Sequence, residues 1–289
     1  EQLSNVPYLK DRLVLKGGTA LNLFHFEHVP RLSVDIDLSY IGQIDPEKML
    51  EERDLISKAI SQILFQSQFE PHRSPTQHAG GKSIWRYDSA LGQKGNLEID
   101  LNYMFRKPLW PVKQLEPKIL LTNSFKVSTL DIHELASGKL AALFSRRVSR
   151  DFFDAHQLLT KCNLDQPKLR TTFVIYAAMS DAPIEDISSE SVNFDVTDIR
   201  NKLLPVLKQD GLPRKKALIE VWANNMLDEL RHKLSYLLPL KENESDFIRL
   251  LREKGEIKPD LITTNQKLIE AVTVHPLIKW KAMKFQANG

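Results

Sequence analysis

The stretch LVLKGGTALNLFHFEHVPRLSVDIDLSYIG, Leu13 to Gly42, decides the fold. After its glycine pair, apolar residues recur at helical spacing, so we expect a helix directly after the glycines. The alternating, β-branched run LSVDIDLSYI at residues 32–41 then predicts a strand. Because strand residues two apart point the same way, Asp35 and Asp37 share one face of that strand.

Two carboxylates on one face of a buried strand repel each other, and burying them without compensation costs several kcal/mol. A divalent cation resolves the repulsion, and hard oxygen ligands suit Mg²⁺ or Mn²⁺. A second predicted strand, NLEIDLNYM at residues 96–104, offers Asp100 as a third carboxylate if the two strands pair. The alternative is an exposed edge strand whose acidic residues face solvent.

The glycine pair predicts a phosphate-binding turn. Gly17 and Gly18 precede a helix, where free backbone N–H groups and the helix dipole attract phosphate. Ser33 lies two residues before Asp35 and can donate to a phosphate oxygen, and Arg31 adds positive charge nearby. The alternative is a plain turn.

A later block of sequence predicts a basic helix followed by an acidic one. HELASGKLAALFSRR at residues 133–147 follows a potential N-cap, and its Lys139 and Arg146 share a face that can neutralise a triphosphate. RDFFDAHQLL at residues 150–159 opens the next helix. There Asp151 and Asp154 either bind substrate, stabilise the helix terminus, or orient a basic side chain through an ion pair of Asp151 with Lys139 or Arg147.

The remaining pattern predicts an α+β front of about 160 residues and a helical back. A helix is expected over residues 46–65 and strands over 83–89, 96–105 and 124–128. From about residue 164 the pattern is helical, with breaks near Pro183, Pro205, Pro213, Pro239 and Pro259. The four tryptophans are expected in the core rather than as base-stacking platforms: Trp85, Trp110, Trp222 and Trp280.

Composition restricts the class of protein further. No apolar run reaches the roughly 18 residues of a membrane span, no leader-like segment is recognised, and a single cysteine excludes an internal disulfide. We therefore expect a cytoplasmic protein that does not bind membranes. Residues 200–289 carry 17 Lys and Arg against 11 Asp and Glu, whereas residues 1–199 carry 23 against 26. The basic back half suits an anionic partner.

The motifs GGT–ALN, RLSVDIDLSY and EIDLNY resemble the nucleotidyltransferase fold of the DNA polymerase beta superfamily. Together with HELASGKLAALFSRRVSRDFFDAHQLL, residues 10–160 are similar to the AbiEii/AbiGii family, toxins of type IV toxin–antitoxin and abortive-infection systems. The resemblance implies a nucleotidyltransferase domain at residues 1–160, with a mixed sheet flanked by helices. Residues 161–289 then form a helical, mildly basic domain that is expected to bind RNA.

The resemblance also implies roles for individual residues. Asp35 and Asp37 match the metal pair, and Asp100 fits the superfamily's third carboxylate. The positions that match nucleotide-binding or later catalytic residues of the family are Gly18 and Thr19 of the turn, Ser33, Lys139 and Asp151.

The implied activity is transfer of a nucleoside monophosphate from a nucleoside triphosphate to an RNA, with the 3′ end of tRNA as the expected acceptor. Translation would stop, and an antitoxin would be the functional partner. Asp100 or Asp151 would receive the proton of the attacking hydroxyl. Two alternatives stay open: transfer to a protein hydroxyl or a small molecule, and an inactive module that only binds nucleotide or RNA.

Overall fold

The computed structural model describes residues 1–33, 35–75, 80–90, 92–118, 125–182, 187–209 and 211–288, with side chains up to residue 284. The chain divides into two compact units. Unit 1 comprises residues 1–27 and 33–131, and unit 2 comprises residues 28–32 and 132–289.

Unit 1 contains a mixed sheet of seven strands within the described residues. The strands are β1 Leu13–Lys16, β2 Asp35–Tyr40, β3 Glu70–Arg73, β4 Gly80–Asp88, β5 Lys94–Asn102, β6 Lys113–Leu115 and β7 Val127–Thr129. Their order is β3-β4-β5-β2-β1-β7-β6. The pairs β2/β5 and β1/β7 are parallel, and the other pairs are antiparallel.

The helices of unit 1 include a long one that packs on the sheet. They are α1 Gln2–Asn5, α2 Pro7–Lys10, α3 Gly17–Phe24 and α4 Pro46–Gln66. Helix α4 begins where the Asp45 carboxylate accepts the Lys48 backbone N–H at 3.0 Å. Its buried residues, Met49, Ile56, Ile60 and Leu64, form one stripe. At its end, the Phe65 ring contacts the Trp85 ring of β4 edge-on, with centroids 5.8 Å apart.

Strand β2 lies in the middle of the sheet, between β5 and β1. Leu38 and Tyr40 of this strand are buried, whereas Asp35 and Asp37 are half-buried. The alternative of an exposed edge strand for the two aspartates is therefore excluded.

Unit 2 is helical apart from one isolated bridge within the described residues. Its helices are α5 Ile132–Arg146, α6 Ser149–Lys161, α7 Gln166–Met179, α8 Val196–Asp198, α9 Lys216–Leu234, α10 Glu242–Arg249, α11 Gln266–Val274 and α12 Pro276–Asn288. Helices α8 and α10 continue into π-helical turns at Ile199–Leu203 and Leu250–Lys254, and 3₁₀ turns occur at Ser189–Ser191, Leu204–Val206 and Pro259–Leu261.

The core of unit 2 combines buried aromatic rings with tightly paired charges. Phe152, Phe173 and Phe247 are fully buried. The Arg170 guanidinium of α7 donates to both carboxylate oxygens of Glu244 in α10 at 2.7 Å. The segment 28–32 joins this unit through its backbone, since the Leu32 N–H donates to the Val206 carbonyl at 2.7 Å.

The predicted class, a mixed sheet flanked by helices with a helical region after it, is confirmed. The sequence pattern did not predict the short strands β1, β3 and β6. The strand expected over residues 124–128 is Val127–Thr129. Residue 124, Val34 of the predicted strand and the break at Pro183 lie outside the described residues.

The helices at Ile132–Arg146 and Ser149–Lys161 belong to unit 2, whereas the domain prediction assigned them to residues 1–160. The functional boundary at residue 160 stays a prediction. None of the described helices combines the length and apolar composition that a membrane span requires.

The buried stripe of α4 predicts that substitutions at two neighbouring residues affect stability differently. Ile56 is 0% exposed and Leu55 is 53% exposed. Replacement Ile56→Ala should lower the free energy of unfolding by about 3 kcal/mol, because it leaves a cavity beneath the helix. Leu55→Ala should change it by less than about 0.5 kcal/mol. Urea unfolding followed by circular dichroism measures both, and equal losses would contradict this packing.

Candidate active site

The centre of the sheet in unit 1 brings carboxylates side by side. In the parallel register of β2 and β5, Asp35 lies opposite Glu98, and Asp37 lies opposite Asp100. Neighbouring strands are about 4.8 Å apart, and side chains at paired positions point to the same face. The predicted pairing of these two strands is confirmed, and it places Asp100 next to the Asp35/Asp37 pair.

Two lysines on the adjoining strands flank these carboxylates. Lys82 of β4 lies opposite Asp100 in register, and its Nζ is 2.5 Å from Glu98 Oε2 and 3.7 Å from Asp35 Oδ2. The hydrogen bond to Glu98 raises the pKa of the Lys82 ammonium. Lys16 of β1 lies opposite Asp37. Burial lowers the pKa of the Lys16 ammonium, and the carboxylates of Asp37 and Asp100 oppose that shift.

Sequence reasoning missed both lysines. Lys82 belongs to the run Gly80-Gly81-Lys82-Ser83, which echoes a phosphate-binding loop without its first glycine. Only the antiparallel register of β4 and β5 turns its side chain toward the acidic face. Lys16 is the last residue of β1, a strand that the sequence pattern did not reveal.

Gly17 allows helix α3 to begin against the Asp37 carboxylate. Its φ is +71°, a conformation that favours glycine. A Cβ at this position would lie only 1.9 Å from Asp37 Oδ2. The helix begins at Gly17 itself, and its first N–H groups have no partner within the helix. The turn, Gly18 and the carboxylates therefore meet in one place.

Thr19 and Ser33 lie at the same turn. The Thr19 hydroxyl donates to the Asp35 carbonyl at 2.5 Å, and the Ser33 hydroxyl is 3.3 Å from Thr19 Oγ1. These bonds tie the first turn of α3 to the start of β2. Their predicted use as phosphate contacts stays a prediction.

The predicted site residues of unit 2 belong to an ionic network in which Arg31, Asp151 and Asp154 are buried. The Lys139 Nζ is 2.8 Å from Asp154 Oδ2 and 3.5 Å from Asp151 Oδ1. Arg31 donates through Nε and Nη2 to the two oxygens of Asp154, both at 2.7 Å. Arg146 Nη2 contacts Asp151 Oδ2 at 2.9 Å.

These contacts bear on the role of the carboxylates at the start of α6. Asp151 lies in the first turn of α6, where a carboxylate also stabilises the helix start, and it is paired with Lys139 and Arg146. The predicted ion pair of Asp151 with Lys139 is therefore observed, Arg146 rather than Arg147 is the second partner, and a role of Asp151 toward substrate stays a prediction. Arg31 is paired with Asp154, which favours a structural role for its guanidinium. Contact of Arg31 with a nucleotide stays a prediction.

Asp154 holds two cations at once. Burial by itself raises the pKa of this carboxyl, but Lys139 and Arg31 outweigh burial and keep the pKa below its usual range. The carboxylate therefore stays ionised at neutral pH and fixes the Lys139 ammonium. No pattern in the sequence indicates this link, because Arg31 and Asp154 are 123 positions apart.

The predicted residues thus fall into two sets. Unit 1 holds Gly17, Gly18, Thr19, Ser33, Asp35, Asp37 and Asp100, and unit 2 holds Arg31, Lys139 and Asp151.

The carboxylates of unit 1 fit a magnesium ion by their chemistry. Among the described residues, no group of three or more His, Cys, Asp or Glu side chains is arranged so that it could hold a metal ion. Mg²⁺ needs no such group, since it usually takes one or two carboxylates and completes its shell with water and substrate phosphates. The missing Cβ of Gly17 lets the Asp37 carboxylate pack directly against the start of α3.

Comparison with known proteins identifies the family. The sequence profile described as "Nucleotidyl transferase AbiEii toxin, Type IV TA system" matches residues 3–234. The chain belongs to the AbiEii toxin family. It is a nucleotidyltransferase of the type IV toxin class, and the predicted enzyme activity is confirmed at that level.

A solved structure supports the fold of this AbiEii member. MenT4, a nucleotidyltransferase toxin from Mycobacterium tuberculosis H37Rv, matches with a TM-score of 0.53 at 15% identity, over 92% of this chain and 85% of that one. No curated protein matches the sequence. The predicted nucleotidyltransferase fold is therefore confirmed, while the residue roles stay predictions.

The glycine at the turn gives a direct test of the carboxylate site. Gly17→Ala should lower nucleotidyl transfer about 100-fold, because its methyl group displaces the Asp37 carboxylate. Gly92→Ala is the matched control, since Gly92 has a similar φ of +76° and no atom within 4 Å of an added Cβ. It should cost about 1 kcal/mol of stability and leave transfer intact. Equal activity losses would show that backbone strain alone is responsible.

The network around Asp154 predicts a pH-dependent stability. Asp154→Asn should lower the free energy of unfolding by about 3 kcal/mol at pH 7, because Arg31 and Lys139 lose a buried partner. Folding lowers the pKa of this carboxyl, so its charge stabilises the folded protein fully at pH values above the unfolded pKa of about 3.9. The stabilisation is lost as the pH falls through the folded pKa. The difference from wild type should therefore shrink as the pH falls from about 4 through the lowered folded pKa.

Urea unfolding across this pH range measures the effect. The control is Asp246→Asn, which breaks the surface pair with Arg249 and should cost less than about 1 kcal/mol. A large difference that does not change with pH would contradict the role of the Asp154 charge.

Proposed function

We propose that this AbiEii enzyme transfers a nucleoside monophosphate from a nucleoside triphosphate to the 3′ end of tRNA, with Mg²⁺ or Mn²⁺ as cofactor. The observation that carries the proposal is the register of Asp37 with Asp100 beside the Gly17 turn. Paired carboxylates next to a phosphate-binding turn are what nucleotidyl transfer requires.

In this proposal, unit 1 binds the triphosphate and the metal. Asp35 and Asp37 would hold the ion, with Asp100 as a third oxygen ligand. A bound Mg²⁺ supplies positive charge that neutralises the triphosphate and makes the attacking hydroxyl more acidic. The Gly18 N–H at the start of α3 and the hydroxyls of Thr19 and Ser33 would contact phosphate oxygens.

The chemical step is an in-line displacement. The acceptor hydroxyl oxygen forms a bond to the α-phosphorus, the bond to the bridging oxygen breaks, and pyrophosphate leaves. Asp100 or Asp151 receives the proton of the hydroxyl. Lys139, held by Asp154, would neutralise negative charge on the phosphates. Positioning and charge thus supply the catalysis, without a covalent intermediate on the protein.

An RNA acceptor is supported by charge. Residues 200–289 carry a net charge of +6, whereas the rest of the chain carries −3, and a phosphate backbone binds to such a surface. Blocking tRNA ends would stop translation in the cytoplasm and arrest growth, including growth during phage infection. A cognate antitoxin would relieve the arrest, with or without direct binding.

Transfer of label tests the proposal. The protein is incubated with Mg²⁺, total tRNA and each α-³²P nucleoside triphosphate in turn, beside Asp37→Asn, which keeps the side-chain shape and removes the charge. Label should appear on tRNA with wild type, fall by at least about 100-fold with Asp37→Asn, disappear with EDTA, and return with Mg²⁺ or Mn²⁺.

The other outcomes identify a different acceptor or no enzyme. Label on a polypeptide or a small molecule, with none on tRNA, would contradict the RNA acceptor and leave the chemistry in place. Nucleotide binding without any label would contradict the transfer reaction itself.

A further inference from the structure

The C-terminal helix α12 presents an aromatic ring to solvent. Trp280 is 43% exposed and Met283 is 65% exposed, and Lys279 is also exposed. Trp85, by contrast, is 5% exposed and lies in the core, where the sequence predicts all four tryptophans. Trp280 departs from that expectation, because it lies on the outer side of α12 while Ile278 and Ala282 face the core.

Two lysine ammonium groups lie over this ring. The Nζ atoms of Lys281 and Lys284 lie 5.5 Å and 5.3 Å from the ring centroid. Lys281 is buried and pairs with Asp181, which also lies 3.8 Å from the Lys284 Nζ. The sequence of α12, PLIKWKAMKFQAN, contains three lysines and no Asp or Glu. The three lysines of α12 and the carboxylate of Asp181 together have a net charge of +2.

We propose that Lys279, Trp280 and Lys284, here called the α12 surface, bind an unpaired segment of the RNA acceptor. The proposal rests on the RNA acceptor proposed above and names where the single strand binds. An exposed ring stacks with any unpaired base, and lysines beside it neutralise the phosphates on either side. Bases in a duplex are already stacked on one another, so the ring selects single strands.

Charge and area favour RNA over a protein partner. A stable protein interface covers about 800 Å² on each side, whereas the exposed large apolar side chains among the described side chains of α12 are Trp280 and Met283. A positive surface with an accessible aromatic face is instead typical of sites that bind single-stranded nucleic acid.

Binding of two labelled RNAs tests the α12 surface. The first is an unstructured single strand of eight nucleotides, and the second is a blunt-ended hairpin. By fluorescence anisotropy, Trp280→Leu should weaken single-strand binding about tenfold and leave hairpin binding within about twofold. Trp280→Phe, which keeps an aromatic ring, should lose less of the single-strand affinity than Trp280→Leu. The double variant Lys279→Gln/Lys284→Gln should reduce the slope of log K against log salt by about 1.4.

Variants in unit 1 with the same kinds of substitution serve as controls for the loss of an exposed aromatic ring and of two positive charges. Phe65→Leu removes another exposed aromatic ring, and Lys48→Gln/Lys58→Gln removes two exposed lysines from α4. Neither should change single-strand binding by more than about twofold. Thermal unfolding of every variant checks that the fold is retained.

Two results would overturn the proposal. One is single-strand binding by Trp280→Leu within twofold of wild type, and the other is equal weakening of strand and hairpin. If wild type labels tRNA while Trp280→Leu binds the strand normally, only the α12 surface is wrong. If wild type neither labels nor binds RNA, the RNA acceptor itself is wrong.

Discussion

The repulsion between the Asp37 and Asp100 carboxylates is the constraint on which unit 1 depends. The parallel pairing of β2 and β5 forces the two side chains onto one face. Lys16 and Lys82 on the flanking strands offset part of their charge. The glycine at position 17 follows from the same constraint, since any side chain there would displace Asp37. A site that concentrates negative charge in this way is suited to a metal and a triphosphate.

In unit 2, cationic side chains compensate a buried carboxylate. Asp154 is buried, but Arg31 and Lys139 both bind it, so three charged groups fix one another. These contacts order the Lys139 side chain, which therefore has less rotamer freedom than a lysine in solvent. The network therefore converts a mobile cation into a positioned one. Its cost is that removing Asp154 takes a shared partner away from Arg31 and Lys139 and leaves Lys139 with Asp151.

The sequence predicted those parts of the site that depend on local periodicity. Asp35 and Asp37 share a face because strand side chains alternate, and α3 begins at the glycines because a helix can start there. Contacts that depend on register or on distant residues were not predictable. Lys82 joins the site through antiparallel pairing with β5, and Arg31 finds its partner 123 positions away.

Short strands were missed for a related reason. β1 and β6 have four and three residues, too few for an alternating pattern to stand out from a loop. β3, with the sequence EPHR, contains a proline and no apolar alternation. Such strands form because a neighbour supplies the hydrogen bonds, and a single sequence does not show which neighbour that is.

The most direct test of the central claim is the binding of Mn²⁺ measured by electron paramagnetic resonance with a non-hydrolysable nucleoside triphosphate analogue present. Wild type should sequester the ion, and Asp37→Asn and Asp100→Asn should each weaken its binding. Asp54→Asn, on the exposed side of α4, should bind the ion as wild type does. Equal Mn²⁺ binding by all four proteins would contradict a metal site built on the paired carboxylates.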